Sequence, residues 1–255
     1  MSRLPAPDSR RGPRLLALDT ATELIAVALV DGERQWTAEE PGGALASQRL
    51  LPLVFELLER AGFALAELDG IAFGRGPGAF TGLRTACSVA QGLAFGAGLP
   101  VLAIDSLALI ADDARAQHAA AAHHVWVAMD ARLDQAYAAA YAYRDDGWQV
   151  LQAPALWPLA ALAEAWQREP PACVAGSALA AFGPRLPSGA ALRVATVHDR
   201  AAALARLARS AWRRGEALDA ALALPLYLRD KVALTTAERD AVATAKAATA
   251  AGADR

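Results

Sequence analysis

Residues 74–84, GRGPGAFTGLR, follow an apolar run and open a helical pattern. Glycines reach backbone angles closed to other residues, and Pro77 stiffens the turn between them. A loop of this kind aims N–H groups at the start of the next helix, where they can hold an anion. Arg75 and Arg84 would add positive charge, giving a phosphate or carboxylate site. The same glycines also serve a plainer purpose, a tight connection that lets the helix pack closely on a sheet. The loop lacks the Gly-Lys-Ser/Thr ending of the nucleotide P-loop. Pro77 and the missing acid at the next strand end also separate it from the dinucleotide fingerprint. A second polar cluster, Asp19-Thr20-Ala21-Thr22, lies between two apolar runs. Its carboxylate and hydroxyls have the chemistry to hold a metal–phosphate complex, or to satisfy their own turn backbone.

Other chemistry is sparse. His118, His123, His124 and His198 show neither HxxxH nor HExxH spacing, so no metal site is expected. Cys87 falls in an apolar helical pattern and, like Cys173, reads as packing rather than nucleophile. Ser88 and Ser177 have no base that spacing identifies. Arg206, Arg209, Arg213 and Arg214 share one helix face. Such a face is either solvated or a contact for nucleic acid.

The elements that must position these residues alternate between strand and helix. Residues 15–20, 24–30 and 34–38 read as a three-strand meander turning at Asp31-Gly32. From Ser47 a helix follows, with Leu50, Leu51, Val54, Leu57 and Leu58 on one apolar stripe and Gly62 closing it. Residues 68–73 form a strand, Thr81 is placed to cap a helix to about 95, and 101–104 form another strand. That helix carries Leu83, Cys87, Ala90, Gln91 and Ala94 at helical spacing, with Gly82, Gly92 and Gly96 between them. Two helices apolar over more than one stripe either meet a partner or lie deep in their own core. A helix at 106–122, a hairpin of 125–129 with 136–143, a helix at 159–166, strands at 173–175 and 190–195, and a helix at 199–213 repeat the order of the first half. This is an α/β layered architecture. The expected lobes are 14–104 and 105–213, with 214–231 packing back on the first. Segments 1–13 and 235–255 are expected to be mobile.

The 255 residues carry 25 Lys+Arg against 27 Asp+Glu, a net charge of -2, which excludes a globally basic nucleic-acid binder. With 55% hydrophobic and 20% charged residues, wholesale disorder is excluded as well. Two cysteines cannot build a disulfide scaffold and fit a reducing compartment. No apolar run approaches the ~18 residues of a membrane span, and none near the start makes a signal-peptide core. A cytoplasmic protein is expected.

Six segments together resemble one family. They are LALDTATELIAVAL (16–29), SQRLLP (47–52), FGRGPGAFTGLR (73–84), AQGLAFG (90–96), MDARLDQAY (129–137) and PLYLR (225–229). They are similar, in type and spacing, to the TsaB (YeaZ) family. The resemblance runs from about residue 15 to 229. It implies an actin-like ATPase fold of two RNase H-like sub-domains. It implies a non-catalytic partner of the enzyme TsaD, with TsaE joining, in transfer of threonylcarbamoyl from its adenylate to N6 of adenosine 37. The tRNAs concerned read codons beginning with A (the t6A modification), and they would be met indirectly, through the complex. The resemblance also implies a homodimer when alone, built on the helices at 47–61 and 81–96, with Arg75 and Arg84 as rim contacts. Asp19, Thr20 and Thr22 match a phosphate loop in vestigial form, since Thr20 stands where nucleotide binders of this fold have glycine. No cofactor is required, and any ATP or ADP would sit at or near an inter-subunit interface. Ala46 lacks the histidine that some relatives carry before the SQR segment, in keeping with the absence of a metal pair. Asp130 and Arg132 are expected as an inward-facing ion pair between the lobes. The alternative is an independent ATPase or metalloprotease-like enzyme of the same fold.

Overall fold

The computed structural model describes residues 11–119, 121–145 and 147–229. The expectations for 1–10 and 235–255 lie outside these residues. The chain opens with β1 (Arg14–Asp19), β2 (Leu24–Asp31) and β3 (Arg34–Pro41), an antiparallel meander in which Asp31 pairs with Arg34 across a two-residue turn. β1 and β2 are buried on both faces, so they read as continuous apolar runs rather than alternating ones. β4 (Gly70–Gly76) and β5 (Val101–Asp105) then add in parallel, giving the order β3-β2-β1-β4-β5. The second sheet repeats this plan with β6 (His124–Asp130), β7 (Gln135–Arg144), β8 (Gly147–Pro158), β9 (Cys173–Ala175) and β10 (Leu192–Val194). Its order is β10-β9-β6-β7-β8, again three antiparallel strands followed by two parallel ones.

β8 was absent from the sequence reading. It is an edge strand, half exposed along its length, with Val150 and Leu151 facing outward and Pro154 inside it. An edge strand tolerates proline and shows no clean alternation, so the usual signals are missing.

Helices layer these sheets. α1 (Ala46–Ala61) and α2 (Phe80–Ala97) cover the outer face of the first sheet. α3 (Ser106–Gln117) and α6 (Arg200–Arg213) lie between the two sheets in one shared core. α4 (Leu159–Arg168) and α5 (Ala178–Phe182) cover the outer face of the second sheet. α6 packs on β1, β2, β3 and β5 as well as on α3, so the chain returns to the first sheet at Arg200 rather than at 214. Residues 218–227 stay on that side, whereas Arg229 reaches the second lobe, its Nη2 donating to Ala131 O at 2.6 Å. Leu218 bonds Val101 in both directions at 2.9 Å, and the Gln91 side chain donates to the carbonyls of Ala220 and Ala223 at 3.0 and 3.2 Å.

Local chemistry sets the helix ends. Gly62 closes α1 in the left-handed conformation. Asp199 caps α6 by accepting from Ala202 N–H at 2.8 Å, and Asp105 caps α3 through Leu107 N–H at 2.9 Å. α2 begins two residues earlier than the sequence indicates. Ala79 holds the capping position without a side-chain bond, and Thr81 is exposed in the first turn. α3 ends at Gln117, short of the expected 122. Among the described residues no helix is long and apolar enough to cross a membrane.

Candidate functional site

Asp19 ends β1 with no exposed surface. Its Oδ1 accepts from Arg200 Nε at 2.9 Å and from Ala21 N–H at 3.1 Å, and its Oδ2 accepts from Ser106 Oγ at 2.8 Å. Ser106 Oγ also accepts from Gly76 N–H at 3.1 Å. Arg200 is only 2% exposed. The carboxylate is therefore neutralised and saturated by groups from α3 and α6. Both partners escaped the sequence reading. Ser106 opens a helix and Arg200 follows a cap, and neither position carries a signal that it faces Asp19.

The glycine loop closes on the same turn. Thr20 Oγ1 donates to Gly82 O at 2.6 Å, and Ala79 N–H donates to Ala21 O at 2.8 Å. A Cβ at Gly82 would lie 1.8 Å from the Thr20 carbonyl oxygen, and one at Gly74 would lie 1.7 Å from Asp19 Oδ2. Glycine at 74 and 82 is thus required by the close approach of the Asp19 side chain and the Thr20 backbone. Of the two readings of the loop, the tight connection is the one the geometry supports. Asp19 is engaged by Arg200, Ser106 and the Ala21 N–H, and Thr20 by the Gly82 carbonyl. Thr22 keeps the turn role, its Oγ1 accepting from Leu24 N–H at 3.3 Å.

The two arginines of the loop part company. Arg75 is half-buried, with its Nε buried and without a hydrogen-bond partner among the described residues. Its charge acts on Asp105 and Tyr141. Tyr141 donates to Asp105 Oδ2 at 2.5 Å. Burial pushes the Asp105 carboxyl above the usual carboxylate range, against the pull of the Tyr141 bond. Burial and the Asp105 charge together push the Tyr141 phenol up, so it stays neutral. Arg84 is exposed, stacked 3.8 Å over the Phe80 ring and donating to Tyr227 Oη at 3.3 Å. Phe80 and Tyr227 pack at 5.0 Å between centroids, so the PLYLR segment covers the first turn of α2.

The apolar stripes of α1 and α2 sort by face. Leu50, Val54, Leu57 and Leu58 of α1 are buried, as are Leu83, Cys87, Ala90 and Ala94 of α2. They pack in this chain's own core and do not reach the outside; Gln91, half-buried, is spent on the segment after α6. Leu51 points outward at 39% exposure, and Leu53 takes the inner place expected of it. The outer face of the pair carries Leu51 and Phe55 on α1, with Leu45 just ahead of it, and Phe95 on α2, among exposed polar residues such as Gln48, Glu56, Glu59, Arg84 and Ser88. Phe55 and Phe95 are 52% and 61% exposed. Gly92 and Gly96 have nothing within 4 Å of a built Cβ, so the helix surface between these apolar residues is bare.

A cleft of about 570 Å³ separates the lobes, lined by Glu23, Ile110, Met129, Tyr137, Val197 and Arg200 among others. Asp130 and Arg132 stand at it but make a loose pair. The Arg132 guanidinium stays 3.8 Å from the Asp130 carboxylate, which accepts instead from the Arg132 backbone N–H at 2.8 Å, and the Arg132 side chain is 82% exposed, so it faces solvent rather than inward. Among the described residues no three His, Cys, Asp or Glu side chains gather as metal ligands would. Burial pushes the Cys87 thiol up and the Cys173 thiol up to about 11, the behaviour of inert packing cysteines.

Two lobes of the same five-strand order, sandwiching α3 and α6, define an actin-like protein built of RNase H-type halves. Comparison with known proteins narrows this. The family model TsaD, tRNA N6-adenosine threonylcarbamoyltransferase, matches residues 44–183. The tRNA threonylcarbamoyladenosine biosynthesis protein TsaB of Haemophilus influenzae is 44% identical over 123 residues, 48% of this chain and 51% of that protein. TsaB of Escherichia coli is 39% identical over 134 residues, 52% of this chain and 57% of that protein. The chain thus spans about half the length of the curated relatives it matches. The solved structure of YeaZ from Pseudomonas aeruginosa is similar at 40% identity and TM-score 0.75, over 85% of this chain and 100% of that one. The chain belongs to the TsaB (YeaZ) family.

Proposed function

We propose that this chain is a non-catalytic partner of a TsaD-type enzyme in t6A modification of tRNA. The observation that carries the reading is the outer face of α1 and α2, where Leu51, Phe55 and Phe95 stand exposed around the bare Gly92 and Gly96 backbone. Large apolar side chains held out to solvent on two adjacent helices mark an interaction site, and small residues let a second helix approach closely. The names of the relatives supply the pathway. The enzyme of the pair transfers threonylcarbamoyl from its adenylate to N6 of adenosine 37, and this chain holds that enzyme in its working assembly, with TsaE joining. The same face closes a homodimer when the enzyme is absent, so the two assemblies compete. No cofactor is required in the chain itself, because Asp19 is already spent on Arg200 and Ser106. ATP or ADP is left to the junction between subunits. The compartment is the cytoplasm, where the tRNA is.

Size-exclusion chromatography of the full chain with the TsaD-type enzyme tests this. Co-elution is expected for the native chain and lost for Phe55→Asp and Phe95→Asp, both of which remain folded. Unchanged co-elution of both variants overturns the assignment of the face. Titration of the isolated chain with Mg-ATP should give no heat; strong binding would favour the independent enzyme.

A further inference from the structure

A second cavity, of about 600 Å³, opens where α3 and α6 end beneath the β7–β8 turn. Five arginines line it, Arg115 from α3 and Arg206, Arg209, Arg213 and Arg214 from the end of α6, against Asp112 and Asp145. Asp112 is fully occupied, accepting from Arg206 Nε at 2.6 Å and from Trp148 Nε1 at 3.0 Å. Arg213 pairs with Glu33 and Arg214 with Glu216. These are exposed surface pairs, and such pairs exchange partners at little cost.

Arg209 is different. It is 9% exposed, and its Nε and Nη2 are buried with no acceptor among the described residues. Its nearest counter-charge, Glu33, is 3.9 Å from Nη1. Arg115 has a buried Nε without acceptor too, its guanidinium stacked 3.5 Å over Tyr143. Burial, with the like charges of Arg206 and Arg213, holds the Arg209 guanidinium pKa below its ordinary value, opposed by Glu33. Buried donors without acceptors are costly. Arg209 and Arg115 also line the cavity, and a phosphate there matches the guanidinium fork in charge and shape.

We propose that this arginine groove binds phosphate groups of the RNA backbone directly, with Arg209 as the buried anchor and Arg206, Arg213 and Arg214 along the strand. The naming of RNA rests on the pathway reading above, and it goes beyond an indirect route to tRNA. Residues 206–214 span about 12 Å of helix, room for about three phosphates at 3.4 Å per strand. The groove lies among α3, α6 and the second sheet, whereas α1 and α2 cover the other face of the first sheet. It therefore stays open when a protein partner covers those helices. A net charge of -2 for the whole chain makes this a local site.

The test is fluorescence anisotropy of a labelled tRNA transcript with the full chain between 50 and 200 mM salt. Log affinity should fall linearly with log salt, with a slope of about -2 to -3 for three phosphates. Arg213→Gln with Arg214→Gln, both exposed and safe for folding, should weaken binding about tenfold or more and reduce the slope by about 1 to 2. Arg209→Met, checked by circular dichroism for a native spectrum, should weaken it about tenfold. Equal affinity and slope in these variants, or no binding at 50 mM salt, overturns the proposal. Inorganic diphosphate, followed by the NMR shift of the arginine Nε–Hε signals, separates the two sources of phosphate. A shift with diphosphate but no binding of tRNA also overturns it, leaving a small-anion site. No tRNA binding by the native chain, with its co-elution intact, would sink the groove and spare the partnership. Intact binding with failed co-elution would do the reverse.

Discussion

Asp19 and Arg200 hold each other at 2.9 Å with almost no exposure, and the pair joins β1 to α6. Removing one member of such a pair strands the other in a site that water does not reach. Arg200→Met should therefore cost about 3–5 kcal/mol of stability, read from urea unfolding. The double variant Asp19→Asn with Arg200→Met should recover part of the loss; no recovery would mean the two side chains act independently. Asp105 makes a separate pH prediction. Burial raises its folded pKa, so between the ordinary carboxylate value, about 3.9, and that raised value the folded state binds more protons than the unfolded one. Stability then falls as pH rises through this window and levels off above it. Asp105→Asn should flatten that part of the stability–pH curve, measured by thermal unfolding from pH 4 to 8. A slope unchanged in the variant would assign it elsewhere.

Helices α1 and α2 each carry one face inward and one outward, and the two faces should respond differently. Leu57→Ala, in the core beneath α1, should cost about 2–5 kcal/mol. Phe55→Asp, two positions away on the outer face, should stay within about 0.5 kcal/mol yet abolish assembly. The sequence shows the amphipathic stripe of α1 because Leu50, Val54, Leu57 and Leu58 recur at helical spacing. It does not decide between Leu51 and Leu53, since both are leucines flanking Pro52 and only the helix's rotation on the sheet tells them apart. The glycine loop is legible as a tight turn into a helix. What fills it is not, because Thr20 and Asp19 reach it from 62 and 55 residues away. β8 is hidden for a related reason, since an exposed edge strand lacks the buried alternation that marks its neighbours. The partners of Asp19 depend on contacts between the lobes, and no local pattern encodes those.

The molecule as a whole is two copies of one sheet plan sharing a single middle layer. Side chains from β1, β4 and β5 and from β6, β7 and β9 meet on α3 and α6 in one core. Two lobes joined in this way should unfold together, so far-UV ellipticity and tryptophan emission should trace one coincident urea transition. Separate midpoints would show that the lobes are independent. The shared layer also fixes what each surface can do. The cleft end carries the Asp19–Arg200 pair, the opposite end is lined with arginine, and Leu51, Phe55 and Phe95 on the outer helices of the first sheet are left exposed. The central claim is that these outer helices are the seat of a protein partner. Amide hydrogen exchange of the full chain, alone and mixed with the TsaD-type enzyme, tests it most directly. Protection should appear over 46–61 and 80–97 and in few other places. Protection confined to the second lobe, or none at saturating enzyme, would contradict it.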